Sequence, residues 1–211
     1  MENAPDARQF ILKEQGMVWY QPGLFSQSEA ATLFEALIQE IAWSSDTVKI
    51  YGRDIITRRK VAWYGDQAFD YRYSGHSRLA LPWTKNLLEI KQRTEEECGT
   101  GFNSCLLNLY HDGSEGMGWH SDDEPSLEPH APIASLSFGQ PRRFLFRLRK
   151  DNSIKRELML ESGSLLMMDA ESQHYWHHSL PVSKKISAPR INLTFRRMKE
   201  IAARLSEFSL D

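Results

Sequence analysis

His120-Ser121-Asp122 sets an imidazole and a carboxylate two positions apart. Residues so spaced on a strand project to the same side, so both donors can reach one ion. A lone His-x-Asp pair is common, and a metal centre needs a third donor. His174, His177 and His178 are the candidates, in a β-prone stretch beyond the turn at Gly163. Two histidines and one carboxylate on one face of a metal make the facial triad of non-haem Fe(II) oxygenases, with positions left open for substrate and oxygen. Zinc or a cupin-like centre could use the same donors. His111-Asp112 has no third partner in the pattern and reads as exposed turn. No convincing Ser-His-Asp or Cys-His arrangement is present.

A second pattern lies at Arg190-Ile-Asn192-Leu-Thr194-Phe-Arg196. Strand alternation puts Ile191, Leu193 and Phe195 on one side and Arg190, Asn192, Thr194 and Arg196 on the other. An antiparallel strand with one wet face would read the same way. The pattern becomes informative only beside the metal donors.

The elements that would position these residues are mostly strands. From Phe102 to Arg197 the chain shows eight short β-prone runs: Phe102–Tyr110, Met117–Ser121, Ala134–Phe138, Arg143–Leu148, Lys155–Leu160, Ser164–Met168, Tyr175–Ser179 and Arg190–Arg196. Eight short strands between turn residues suggest a jelly roll, or double-stranded β-helix, in a mainly β (α+β) chain. Before them, Ser26 and Glu29 form a capping box. Leu33, Phe34, Leu37, Ile38 and Ile41 then recur at helical spacing, predicting a helix to about Ala42. Val48–Tyr51 and Ile55–Trp63 flank Gly52-Arg53-Asp54 as a hairpin whose tip carries Ile50, Tyr51 and Arg53. Pro82 opens a second helix to about Glu97, and Lys199 to Ser206 reads as a final polar helix. We expect one structural unit of two parts: helices, hairpin and a loop region over 1–101, and the β core over 102–211.

Composition bounds the class. The 211 residues include 41% hydrophobic and 26% charged residues, an ordinary globular balance with ample length for a core. The amino end carries no secretory pattern, and no run is long and apolar enough to cross a bilayer, so no membrane partner is expected. Two cysteines, Cys98 and Cys105, without a CxxC pair, suit a reducing cytoplasmic or, in a eukaryote, nuclear setting. A net charge of −2 does not announce a nucleic-acid binder, although basic clusters occur at Arg53–Lys60, Arg142–Arg156 and Lys184-Lys185. Nothing demands more than a monomer.

One ordered set of motifs is more specific: Asn108-Leu-Tyr110, Trp119-His120-Ser-Asp122-Asp-Glu124, Pro132 through Gly139, Gly163 through Met168, His178-Ser-Leu-Pro181 and Ala188-Pro-Arg190-Ile-Asn192-Leu-Thr-Phe-Arg196. It resembles the AlkB family, and most the branch of human nuclear DNA dealkylases. The resemblance is strong from about Asn103 to Arg197, looser over Tyr51–Gly75 and weak before Trp43.

This resemblance implies an Fe(II)- and 2-oxoglutarate-dependent dioxygenase that uses O2 to remove N-alkyl groups (1-methyladenine or 3-methylcytosine type) from alkylated DNA. His120, Asp122 and His178 would bind iron, His178 because it directly precedes Ser179-Leu180-Pro181. Arg190, helped by Tyr110, would grip the distal carboxylate of 2-oxoglutarate, a role that suits a planar guanidinium. Asn108, Asn192, Thr194 and Arg196 would line the rest of that pocket, with Arg196 near Asp122. A nucleotide-recognition lid ahead of the core would bring Tyr73 to stack on the base and Tyr71 to flank it. Glu124 would read the base edge, and the tip at Tyr51-Gly52-Arg53 would fall where relatives carry a helix-invading finger. The same chemistry on RNA or protein side chains, or a non-catalytic cupin-like metal module, are the alternatives.

Overall fold

The computed structural model describes residues 8–50, 53–73 and 76–200. Strands β1 (Gln9–Leu12) and β2 (Val18–Gln21) precede α1 (Gln27–Glu40). Then come the hairpin β3 (Ser44–Ile50) and β4 (Arg53–Gly65), the small pair β5 (Asp70–Tyr73) and β6 (His76–Leu79), and α2 (Lys85–Cys98). The second half holds β7 (Ser104–Tyr110), β8 (Met117–His120), β9 (Ile133–Gly139), β10 (Arg142–Leu148), β11 (Lys155–Leu160) and β12 (Ser164–Met168). It ends with α3 (Ala170–Tyr175), β13 (Trp176–Leu180) and β14 (Arg190–Arg196).

The larger sheet has the order β1-β2-β12-β9-β14-β7-β4-β3 and the smaller one β11-β10-β13-β8. The eight expected runs are therefore the two four-stranded halves of a jelly roll. The amino-terminal strands extend the larger half at both edges, and every strand pair of the two sheets is antiparallel.

Alternation along β14 assigns its two faces. Ile191, Leu193 and Phe195 join Leu107, Leu136 and Phe138 in an apolar layer that also takes Leu37 of α1 and Leu87 and Ile90 of α2. The two helices thus cover the outer face of the larger sheet. All of β14 is nonetheless buried, so its polar face is not the wet side of an antiparallel strand. It points between the sheets, as the resemblance implied. A second apolar cluster, including Tyr110, Phe144, Phe146, Met168, Trp176 and Leu180, packs around that interior.

Local signals explain most boundaries. The Ser26 hydroxyl accepts from the Glu29 amide while the Glu29 carboxylate accepts from the Ser26 amide at 2.7 Å, closing the expected capping box. The second helix begins at Lys85, later than Pro82 suggested. Leu81 is still held extended by exchange with Trp63 and Gly65, and the Thr84 hydroxyl caps the helix by accepting from Leu87. Gly99, in the left-handed region at φ 66°, ends it.

Other expectations need correction. Strands β1 and β2 were not anticipated, because each has only four residues and their apolar positions do not run long enough to register as alternation. The expected strand from Tyr175 begins at Trp176. Before it, Asp169 accepts from the Ser172 amide at 2.7 Å and caps the unforeseen helix α3. The Gly52-Arg53-Asp54 loop is tighter than expected, since Arg53 already pairs with Ile50, and Asp54 with Lys49. Lys199 and Glu200 are not helical, and the rest of the expected final helix lies outside the described residues.

Candidate metal centre and co-substrate pocket

His178 on β13 lies directly opposite His120 at the end of β8. Their Nε2 atoms approach to 3.1 Å, and Asp122 Oδ1 stands 3.8 Å from His120 Nε2. All three donor atoms lie within 4.8 Å of one another. Two nitrogens bound at about 2.1 Å and at right angles to one cation would sit about 3 Å apart, so the donor set fits a single divalent ion. Among the described residues no other group of three such donors converges.

Shared strand alternation is not what unites His120 and Asp122, contrary to the expectation. β8 stops at His120, and Asp122 belongs to the loop beyond it. Three contacts replace the strand. The Ser121 hydroxyl donates to the Trp176 carbonyl at 3.2 Å, the Asp122 amide donates to Gln173 Oε1 at 3.0 Å, and Arg196 Nη2 reaches Asp122 Oδ1 at 2.8 Å. Gln173 is buried on α3, the element sequence reasoning missed, so its role was missed with it.

The electrostatics suit metal binding. Burial drives the Asp122 carboxyl upward, but Arg196, with His178 and His120, outweighs it and holds the pKa down at about 2. Burial, then the neighbouring His120, pushes His178 down to about 3, so its ring is neutral and offers a lone pair at physiological pH. The His120 Nδ1 lies 2.8 Å from the Gly118 carbonyl, which fixes the proton there and turns Nε2 toward its partners. Phe144 stacks on the His178 ring at 5.4 Å. His177, on the opposite face of β13, is half-buried, and His174 on α3 is exposed. Neither reaches the triad.

The triad opens into a cavity of about 230 Å³ between the sheets, lined also by Asn108, Tyr110, Glu124, Arg190, Asn192, Thr194 and Arg196. Arg190 is 2% exposed, and its Nη2 donates to Ser137 Oγ at 2.8 Å and Asn192 Oδ1 at 2.7 Å. Asn192 in turn accepts from Ser135 and donates to Thr194, and it lies opposite Asn108 across β14 and β7. Arg190 Nε is buried with no hydrogen-bond partner, and no carboxylate of the described residues pairs with this guanidinium. Its pKa falls to about 10 through burial, still far above neutrality. A buried cation in a cavity wall is costly unless an anion joins it, so this end fits a carboxylate ligand. Ser135 and Ser137 were not singled out from sequence, although Ser-x-Ser on a strand flanked by Ala134, Leu136 and Phe138 carries the same alternation as β14.

Glu124 lines the cavity and lies 3.4 Å from Arg196 Nη1. Sequence reasoning did not single out Asp46 or give Arg59 a role. The two form a buried ion pair in the cavity wall on β3 and β4. Tyr51 and Gly52 lie outside the described residues. Arg53 opens β4, and Tyr71 and Tyr73 sit on β5, but their side chains are outside the described set. His111 contacts Glu115 at 3.1 Å, away from the triad.

Comparison with known proteins sharpens this geometry. Residues 16–196 match the 2OG-Fe(II) oxygenase superfamily, to which the chain belongs. Within it the chain sides with AlkB relatives. It is 39% identical over 206 residues to the mouse DNA oxidative demethylase ALKBH2, covering 92% of this chain and 85% of the relative. The human protein of that name is 38% identical, over 89% of this chain and 76% of the relative. Bovine alpha-ketoglutarate-dependent dioxygenase alkB homolog 3 is 38% identical, over 83% and 64% respectively. The solved structure of OsALKBH1 shares the fold with a TM-score of 0.63 at 17% identity, covering 85% of this chain and 97% of that one. The protein is thus a dioxygenase whose cofactors are Fe(II) and 2-oxoglutarate. Among the described residues no helix is long and apolar enough to cross a membrane.

Proposed function

We propose that the protein removes alkyl groups from the nitrogens of alkylated DNA bases, acting as a monomer. In this reaction an N-methyl base, 2-oxoglutarate and O2 become the hydroxymethyl base, succinate and CO2. The hydroxymethyl base then releases formaldehyde. The observation that carries this reading is the alignment, within one buried cavity, of the His120, Asp122 and His178 donor set with the anion-seeking Arg190. The names of the curated relatives supply the substrate class.

Bound iron supplies the oxidising chemistry, and the chain's residues supply place and charge. His120, Asp122 and His178 would hold the metal. Arg196 fixes Asp122 in its ionised form and restrains its rotation. Arg190 and Tyr110 would seat the distal carboxylate of 2-oxoglutarate, with Asn108, Asn192 and Thr194 completing the polar wall. The surrounding Phe144, Leu180 and Met168 keep that wall dry, which strengthens each charged contact. Glu124, held near the metal end by Arg196, would read the edge of the base. Tyr71 and Tyr73 would flank and stack on it, and Tyr51, Gly52 and Arg53 would meet the helix. A base weakened in its pairing by alkylation costs least to extrude, which favours damaged over normal nucleotides.

The test is to incubate the protein with Fe(II), 2-oxoglutarate and oligonucleotides carrying 1-methyladenine or 3-methylcytosine, as DNA and as RNA, and to weigh the products. Loss of 14 mass units (on the order of one CH2) from DNA, dependent on 2-oxoglutarate, is expected. Succinate release without any change in the DNA would refute the substrate assignment.

A further inference from the structure

Arg142, on β10, is 1% exposed and does not line the cavity, yet its position is unusual. Its guanidinium donates to three backbone carbonyls: Asp112 at 3.3 Å, Glu115 at 2.8 Å and Pro181 at 3.0 Å. The first two lie in the loop between Tyr110 and His120, and the third in the loop between His178 and Arg190. One side chain therefore ties together the two loops that connect co-substrate residues to metal donors. The loops press together so closely that a Cβ on Gly113 would stand 2.1 Å from the Ser183 carbonyl, and one on Gly116 2.5 Å from that of Leu180.

The acids of these loops act on Arg142 only through space, because their carboxylates are engaged elsewhere. Asp112 is taken by Ser114 and Arg58, and Glu115 by His111 and Arg58. Among the described residues no carboxylate is in ion-pair contact with Arg142. Meanwhile Tyr110 is flanked by two guanidiniums, Arg190 at 5.6 Å and Arg142 at 5.9 Å from its ring. Burial lowers the pKa of both, Tyr110 between them opposes that fall, and Arg142 lowers that of Arg190 further, so Arg190 feels the second charge across the ring. Asp112 and Glu115 offset part of the Arg142 charge from a distance, and no carboxylate of the described residues is in ion-pair contact with either guanidinium.

We propose that Arg142 is a positioning residue that serves as a second, remote cation of the co-substrate site, so that the closed end of the cavity is dicationic and selects a dicarboxylate. This rests on the reading that Arg190 seats the distal carboxylate of 2-oxoglutarate. Arg142 acts through the field at that carboxylate without touching it. Two unit charges on the order of 10 Å apart, at an effective dielectric of roughly 20 and with partial screening, alter an affinity by about tenfold.

The test measures ligand affinity by calorimetry, without oxygen, on protein loaded with Mn(II) as a redox-silent ion. Two ligands are compared: 2-oxoglutarate, and 2-oxobutyrate, which keeps the metal-chelating end and lacks the distal carboxylate. Arg142→Gln is expected to weaken 2-oxoglutarate about tenfold and leave 2-oxobutyrate unchanged, while Arg142→Lys keeps both within about threefold. Equal weakening of both ligands, or of neither, overturns the proposal in favour of a purely structural tie. If Arg142→Gln gives no cooperative melt, Arg142→Lys decides. It keeps the charge and loses the three-carbonyl fork, so a lowered Tm with retained 2-oxoglutarate affinity supports the proposal, and a selective loss of 2-oxoglutarate affinity overturns it. Arg190→Met is run alongside. If it leaves 2-oxoglutarate affinity intact, the seating role of Arg190 fails, and if it weakens binding while Arg142→Gln does not, only the second cation fails.

Discussion

Replacing Gln173 with Leu tests how the metal donors are brought together. The side chain is buried on α3, and its Oε1 accepts from the amide of Asp122 at 3.0 Å. Leucine conserves the volume but offers no acceptor, so a buried N–H loses its partner at a cost of about 1–3 kcal/mol. In a domain of this size each kcal/mol shifts Tm by roughly 2–4 °C, giving an expected fall of about 2–12 °C. A stability loss alone would describe any buried hydrogen bond. The distinguishing effect is on the ion: Asp122 lies beyond β8, and Gln173 and Arg196 replace strand geometry in aiming its carboxylate. Loss of such an orienting partner weakens metal binding about 10–100-fold. Titrating the apo-protein with Co(II), read by its d–d absorption, measures that quantity, and a thermal melt in EDTA measures the first. A lowered Tm with unchanged Co(II) affinity would refute the argument, because the loop would then be aimed without Gln173.

The remaining predictions concern the triad, the base reader and the first helix. His120→Ala, Asp122→Ala and His178→Ala should each abolish turnover while keeping a cooperative melt, and turnover retained with intact iron dependence would remove the ligand assignment. Glu124→Ala should change the ratio of rates on 1-methyladenine and 3-methylcytosine, and an equal loss on both would count against a reading role. Glu29, bonded to the Ser26 hydroxyl and amide and then to Arg93, has its pKa lowered from 4.5 to about 2. A depressed carboxyl contributes stability that is complete above its unfolded pKa and is lost as pH falls from about 4.5 through about 2. Glu29→Gln should therefore flatten the acid limb of the stability curve, and an unchanged limb by pH-dependent urea melts would show that the capping box is not its source.

How much of this was legible in the sequence follows from the physical range of each signal. Alternation along Arg190–Arg196 and the eight-run pattern are properties of single strands, and both strands and faces lie where they were expected. The capping box at Ser26 is equally local. Alternation could not show that both faces of β14 are buried, because that depends on α1 and α2 packing from one side and the smaller sheet from the other. Nor could spacing alone choose among His174, His177 and His178. The choice came from family resemblance, and physically it is made by the register of β13 on β8, which sets His178 opposite His120. The least legible features are the supports: Gln173 acts on Asp122 across 51 positions, and Arg142 reaches 39 positions to Pro181. Gln173 stands in a stretch with no motif and Arg142 in a basic cluster that charge alone does not interpret, and the purpose of each exists only once strands from distant parts of the chain are adjacent. A ligand set announces itself because the metal constrains residue types, whereas the groups that aim those ligands need only one donor or acceptor, which many residue types supply. The donors were therefore readable in advance and the parts that hold them were not, although altering Gln173 should change metal affinity nearly as surely as altering a ligand.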